Sequence, residues 1–292
     1  VTGSGPKGRI SRDDVKDHAR KIISESRQED TAGAGKQRGS NVPEPEMYTG
    51  PLPDFSRWGK TERESMNKVR QITAQSTWSS WQVIPQVTQH DSADISALES
   101  FREQYGDVVE KQGGKLTVTA IIIKIVAAAL QKFPKFNASL DIKKQEIIYK
   151  HFINIGVAAD TPRGLLVPVL RDVDQKDLTQ IALELGALAD KARNKKISPD
   201  EMQGGNFTVS NLGGIGGSFF TPIVFWPQVA ILGVGKARME PVPADDGIET
   251  KPILPLSLSY DHRVIDGAEG ARFLHSIAES LENPFLLFMD AK

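Results

Sequence analysis

The chain of 292 residues carries a net charge of -1, with 39% hydrophobic and 25% charged residues, the balance of a protein with a substantial apolar core. Near-neutral charge without a long basic run gives no ground for a nucleic-acid partner or for a membrane surface. Without cysteine there is no disulfide, no thiol nucleophile and no cysteine metal site, and no metal is expected; this fits a reducing compartment.

Near the start, Gly3-Ser4-Gly5-Pro6-Lys7-Gly8 has the glycine spacing of a dinucleotide loop. No strand precedes it and Pro6 interrupts it, so that reading is rejected. Ser11 is placed to cap a helix with Val15, Ala19, Ile22 and Ile23 on one face. Residues 25–53 are rich in Gly, Pro, Ser, Gln and charge, lack apolar periodicity, and read as a mobile linker. The globular part begins near Lys60, where Met66, Val69, Ile72 and Thr73 suit a helix face. A strand is expected from Val83 to Asp91, then an amphipathic helix through Ile95, Leu98, Phe101, Tyr105 and Val108. Thr117 opens a buried helix that ends before Pro134; its apolar run is broken by Lys124 and is shorter than the roughly 20 residues of a bilayer span.

Ile153 to Ala159 and Leu165 to Leu170 read as two strands around the turn Asp160-Thr161-Pro162-Arg163-Gly164. A helix follows from Asp177 to Asn194, and the cations at its end (Lys191, Arg193, Lys195, Lys196) read as solvated surface. The strand Asn206 to Ser210 leads into Asn211-Leu212-Gly213-Gly214-Ile215-Gly216-Gly217. That loop lacks the Lys-Ser/Thr pair of a phosphate-binding loop, and its glycines suit a close approach to a ligand or another chain. Gln228 to Gly235 reads as a strand buried on both faces. Leu254, Leu256 and Leu258 then alternate with Pro255, Ser257 and Ser259, the period of a strand with one buried face. That strand runs into Asp261, His262, Arg263 and Asp266, after which Ala271, Leu274, Ile277, Ala278 and Leu281 take up helical spacing. A lone histidine at a strand end reads as structural. Four ionisable groups within six residues beside an apolar strand are paired or functional.

Asp261-His262-Arg263-Val264-Ile265-Asp266-Gly267 resembles the Asp-His-Arg-x-x-Asp-Gly signature of the dihydrolipoyl acyltransferases, core components of 2-oxo acid dehydrogenase complexes. The likeness extends from about Asp54 to the end, through Pro85 to Asp94 and Thr208-Val209-Ser210-Asn211-Leu212-Gly213. It implies an α/β fold like that of chloramphenicol acetyltransferase, a two-layer sandwich with a mixed β-sheet and helices packed on it. Residues 1–24 resemble the second half of a peripheral subunit-binding domain, with Lys7 and Arg9 as candidates for holding the dehydrogenase components. The implied organisation is that fragment, a linker over 25–53 and a catalytic domain over 54–292. The resemblance further implies homotrimers, each site uniting the histidine of one chain with the serine of its neighbour. Trimers would assemble into a larger core, cubic because the likeness is closest to bacterial pyruvate-dehydrogenase types. CoA is the implied substrate, the lipoyl group rides on an upstream domain, and the implied location is the bacterial cytoplasm or the mitochondrial matrix.

Moving an acyl group between two thiols needs a base for the attacking thiol and a donor for the oxyanion. An imidazole near pKa 6.5 facing a thiol near 8.5 falls about 2.7 kcal/mol short of full proton transfer, so a positioned histidine suffices as attack proceeds. The resemblance assigns His262 as that base and Ser210 as oxyanion donor, against a strand-end serine bonded to backbone. Asp266 orients His262, stabilises charge or caps a helix, while Asp261 and Arg263 are expected to pair structurally. Arg102 and Asp160 are carried over from the family to the CoA entrance; from its spacing alone Arg102 is an exposed helix residue. The competing readings are a succinyl or branched-chain specificity, a non-catalytic core or docking protein, and a serine hydrolase, which lacks a Gly-x-Ser-x-Gly elbow.

Overall fold

The computed structural model describes Lys16 and residues 51–162, 164–244 and 247–286. The expected subunit-binding fragment and residues 25–50 of the expected linker otherwise lie outside them. Residues 51–68 are exposed throughout, so the globular part begins later than Lys60.

Helix α1 spans Lys68–Val83, capped by the Asn67 side chain on the Arg70 N–H. It takes in Val83, where a strand was expected, and β1 instead spans Gln86–Asp94. The shift follows from burial: α1 buries only Ser80, so it writes little periodicity, and the chain turns at Ile84, which is 3% exposed. Asp94 closes β1 by accepting from the Ser96 N–H and hydroxyl at 2.9 and 2.6 Å, starting α2, Ser96–Glu110. Leu98 and Val109 are its buried positions, whereas Tyr105 and Val108 are exposed, contrary to the face read from spacing.

Helix α3, Val118–Lys132, is N-capped by Thr117 and buries nine residues, the apolar centre of the molecule. Strands β2 (Ala138–Asp141) and β3 (Glu146–Tyr149) form a separate hairpin. Strands β4 (Ile155–Val157) and β5 (Val169–Leu170) are shorter than expected, with a further bridge between Ala159 and Leu166. Helix α4, Leu178–Arg193, opens on a capping box between Asp177 and Gln180. Then come β6 (Phe207–Asn211), β7 (Ala230–Val234), β8 (Arg238–Ala244), β9 (Gly247–Asp261) and helix α5 (Gly267–Glu282).

The main sheet runs β1-β9-β7-β6-β4-β5, with β8 extending β9 as a ribbon. It is mixed: β4, β6 and β7 are parallel, and β9 is antiparallel to both β1 and β7. Alternation along the strands sorts its two faces. Phe207, Val209, Leu232, Leu256 and Leu258 join the cluster that includes α3 and α5. On the other face Ile231 packs with Ile84 and Val224, and the Ser257 and Ser259 hydroxyls bond to His90 and Thr88 at 2.9 and 2.7 Å. This is the expected two-layer α/β sandwich. The segment after β6 covers the second face closely. A Cβ on Gly235 would lie 2.0 Å from the Ser218 carbonyl oxygen, so the chains pass there only because residue 235 lacks one.

Buried amides fix the inner strands. Asn206 Oδ1 accepts from the Asn154 N–H at 3.1 Å, Asn206 Nδ2 donates to the Phe152 carbonyl at 3.0 Å, and Asn154 bonds Gly204 and Asp172. No helix among the described residues is long and apolar enough to cross a membrane.

Candidate active site

The antiparallel pairing of β9 ends at Asp261, opposite Gln86, and there the chain turns. The Asp261 N–H donates to the Val229 carbonyl at 2.8 Å and the His262 N–H to the Pro85 carbonyl at 3.2 Å. The Asp261 carbonyl accepts from the Val264 and Ile265 N–H groups, each at 3.0 Å, closing the turn. The His262 side chain is exposed, and its ring centroid lies 6.0 Å from that of Tyr260. Tyr260 is buried against Gly270 of α5, and burial, then the Asp266 charge, push its phenol above the ordinary range.

The expectation that Asp261 and Arg263 pair structurally holds. Asp261 is 2% exposed and takes Arg263 Nε and Nη2 at 2.9 and 2.7 Å. Asp266 is the cap of α5: its carboxylate accepts from the Glu269 N–H at 2.9 Å, and Glu269 returns a bond to the Asp266 N–H at 3.3 Å. That backbone bond is the largest cause of a lowered pKa; burial opposes it, and the Ala268 N–H, Lys135 and Arg272 each add to the lowering. The capping contribution is thus complete above the ordinary carboxylate range and is lost as pH falls through the lowered value. Asp266→Asn, which keeps the cap acceptor but gives up the charge, should lower Tm less than Asp266→Ala, for which a fall of about 2–4 °C is expected by calorimetry.

Ser210 is half-buried near the end of β6, and among the described residues nothing hydrogen-bonds to its hydroxyl. Two residues earlier, Thr208 donates to Gln228 Oε1 at 2.7 Å, a support for β6 that nothing local in the sequence announces.

The sheet keeps Ser210 and His262 of one chain apart. Ser210 pairs with Gly233, and Gly233 with Ser257, five residues before His262 on β9. At about 3.3 Å per residue and 4.8 Å per strand, that places them roughly 17 Å apart along the strands and 10 Å across. Their settings differ as well: Val209 and Asn211 point to the helices, which turns Ser210 to the other face, while His262 projects from the exposed turn beyond β9 with its ring near Tyr260.

Arg102, on α2, is held by Glu99 through Nε at 2.7 Å and Nη2 at 2.5 Å. It borders an open groove of about 320 Å³ with Glu103, Asp107, Glu110, Lys115 and Leu116. Three carboxylates against two cations make the groove by itself unsuited to a polyphosphate. Asp160 is exposed after β4, just before a turn that the Thr161 hydroxyl closes on the Gly164 carbonyl at 2.7 Å. Among the described residues no ion pair joins Arg102 to Asp160, and no cluster of His, Asp and Glu is arranged to hold a metal.

A family model described as 2-oxoacid dehydrogenases acyltransferase (catalytic domain) matches residues 59–289. The dihydrolipoyllysine-residue acetyltransferase component of the pyruvate dehydrogenase complex from Pseudomonas aeruginosa is 47% identical over 283 residues, 96% of this chain and 50% of that protein. The Azotobacter vinelandii component is 46% identical over 281 residues, 96% of this chain and 43% of that protein. The chain therefore spans about half the length of such curated relatives. Among solved structures, A. vinelandii dihydrolipoamide acetyltransferase, studied for the roles of a serine, a histidine and an asparagine in its mechanism, superposes with a TM-score of 0.80. It is 49% identical, covering 83% of this chain and 100% of that one. The cubic core of a pyruvate dehydrogenase multienzyme complex gives a TM-score of 0.80 at 48% identity, again with 83% and 100% coverage.

Proposed function

Because the chain belongs to the 2-oxoacid dehydrogenase acyltransferase family, whose catalytic-domain model spans residues 59–289, we propose that it moves an acetyl group between CoA and the dihydrolipoyl group of a lipoylated domain. The acetyl assignment rests on relatives that are acetyltransferase components of pyruvate dehydrogenase complexes.

In this reading His262 takes the proton of the attacking thiol as its sulfur closes on the thioester carbonyl carbon. The carbonyl oxygen gains charge in the tetrahedral intermediate and accepts a hydrogen bond from the Ser210 hydroxyl. Collapse breaks the old carbon–sulfur bond, and the imidazolium returns its proton to the departing sulfur. No acyl-enzyme is needed, and one base serves both directions.

The observation that carries the reading is the separation of Ser210 from His262 within one chain, with neither side chain hydrogen-bonded among the described residues. A base and an oxyanion donor so far apart become one site when a second copy presents its histidine to this serine. Trimers joined by repeated copies of one asymmetric contact satisfy every subunit in that way. The relative solved as a cubic core supports further assembly into a cube. Asp160 and Arg102, the latter once released from Glu99, are proposed at the CoA entrance, and Asp266 in support of His262 through its helix cap.

The test is thioester formation from acetyl-CoA and dihydrolipoamide, compared with succinyl- and isobutyryl-CoA; a higher kcat/KM for either rival overturns the acetyl assignment. Ser210→Ala should lower kcat about 10²–10³-fold with KM for CoA little changed, the loss expected for one oxyanion donor. Unchanged kcat removes Ser210 from the mechanism.

A further inference from the structure

We infer that Asp261 and Arg263 act together as a positioning clamp that fixes the turn from which His262 projects. The inference rests on the function proposed above and extends it to two residues that touch neither thiol.

The clamp is drawn around a single residue. Arg263 reaches back with Nε and Nη2 to both carboxylate oxygens of Asp261, at 2.9 and 2.7 Å, and its own backbone N–H adds a bond to Oδ1 at 3.0 Å. His262 lies inside that closed loop and is exposed, between a buried Asp261 and an Arg263 whose guanidinium folds back onto that carboxylate. The loop is anchored on three sides: through the Asp261 N–H to Val229 before β7, through the His262 N–H to Pro85 before β1, and through the Asp261 carbonyl to the residues leading into α5.

A strand that only needed to end would not require a carboxylate that is 2% exposed, because burying that charge is costly without a fully bonded partner. The guanidinium fork meets the two oxygens with two parallel donors in one plane, a geometry that the compact, rotatable ammonium of lysine does not hold. A general base gains from being held at hydrogen-bond reach of the thiol, and misplacement by about 1 Å can cost about 10²-fold in rate. The clamp supplies that rigidity locally, without contacting the substrates.

The test uses the assembled protein carrying Arg263→Lys, with Arg263→Gln and Asp261→Asn in parallel, and reads steady-state kinetics and amide hydrogen exchange over residues 261–266. Arg263→Lys keeps the charge but loses the fork. It is expected to lower kcat about 10–100-fold, with KM for CoA and for dihydrolipoamide within about twofold, and to accelerate exchange at 262–266 while assembly size is kept. If charge alone mattered, lysine would rescue; wild-type kcat in Arg263→Lys overturns the clamp, as does a rise in KM with kcat preserved, which would make Arg263 a substrate contact. Hydrogen exchange does not depend on acyl transfer, so unchanged exchange in Arg263→Lys overturns the clamp even if the wild type transfers no acetyl group. Should Arg263→Gln or Asp261→Asn fail to fold, Arg263→Lys still decides.

Discussion

His262→Ala lowers kcat for acetyl transfer by up to about 10⁴-fold, the upper range for loss of a positioned general base, with assembly size and Tm unchanged. The structural half follows from exposure: the ring makes no hydrogen bond among the described residues, and an exposed substitution away from caps and cores stays within about 0.5 kcal/mol. The sharper half concerns mixtures. If the serine and histidine that react come from different chains, co-expressed His262→Ala and Ser210→Ala chains form some sites in which the first supplies the serine and the second the histidine. With random mixing around a ring of repeated asymmetric contacts, about a quarter of the sites are intact, so kcat per site returns to about a quarter of the wild-type value. Parents and mixture are measured with acetyl-CoA and dihydrolipoamide. A mixture no better than the parents would mean that each chain uses its own pair, which the register of β6, β7 and β9 disfavours.

That register is what the sequence does not disclose. The alternation of Leu254, Leu256 and Leu258 marks the strand, and the spacing after Gly267 marks the helix, because each is buried on one side. The helix at 178–193 is legible for the same reason and the one at 118–132 through its apolar run, and Thr117 and Asp177 stand at their starts as expected. Strand β8 and the first part of β9 were not foreseen for the opposite reason. The ribbon is largely exposed on both faces and carries Pro241, Pro243 and Pro252, so it writes neither an apolar pattern nor a typical strand composition. The hairpin of β2 and β3 is silent likewise, with every residue of β3 exposed. His262, Ser210 and Asp266 were legible through a motif, but their separation depends on pairings between residues far apart in the chain. The Thr208 to Gln228 support and the Tyr260 neighbour of His262 depend on the same pairings.

Phe273→Ala is expected to cost about 3–5 kcal/mol of stability, the range for removing a fully buried aromatic ring. Phe273 is 0% exposed, stacks on Phe136 at 3.9 Å and 7°, meets Phe133 edge-on at 5.7 Å, and lies 5.9 Å from Phe207. Those partners come from the turn just after α3 and from β6, so one ring ties the helix capped by Asp266 to the strand that carries Ser210. Three surrounding rings cannot collapse into the space without abandoning their own contacts, which puts the loss in the upper part of the range for core truncations. At about 2–4 °C per kcal/mol, Tm falls by about 6–20 °C, to be read by calorimetry at one fixed protein concentration because assembly also shifts Tm. Phe273→Leu, which refills much of the volume, should lose less than half as much. A loss below about 1 kcal/mol for the alanine variant would show that this cluster does not anchor α5, and the cap at Asp266 would then have to hold the turn bearing His262 by itself.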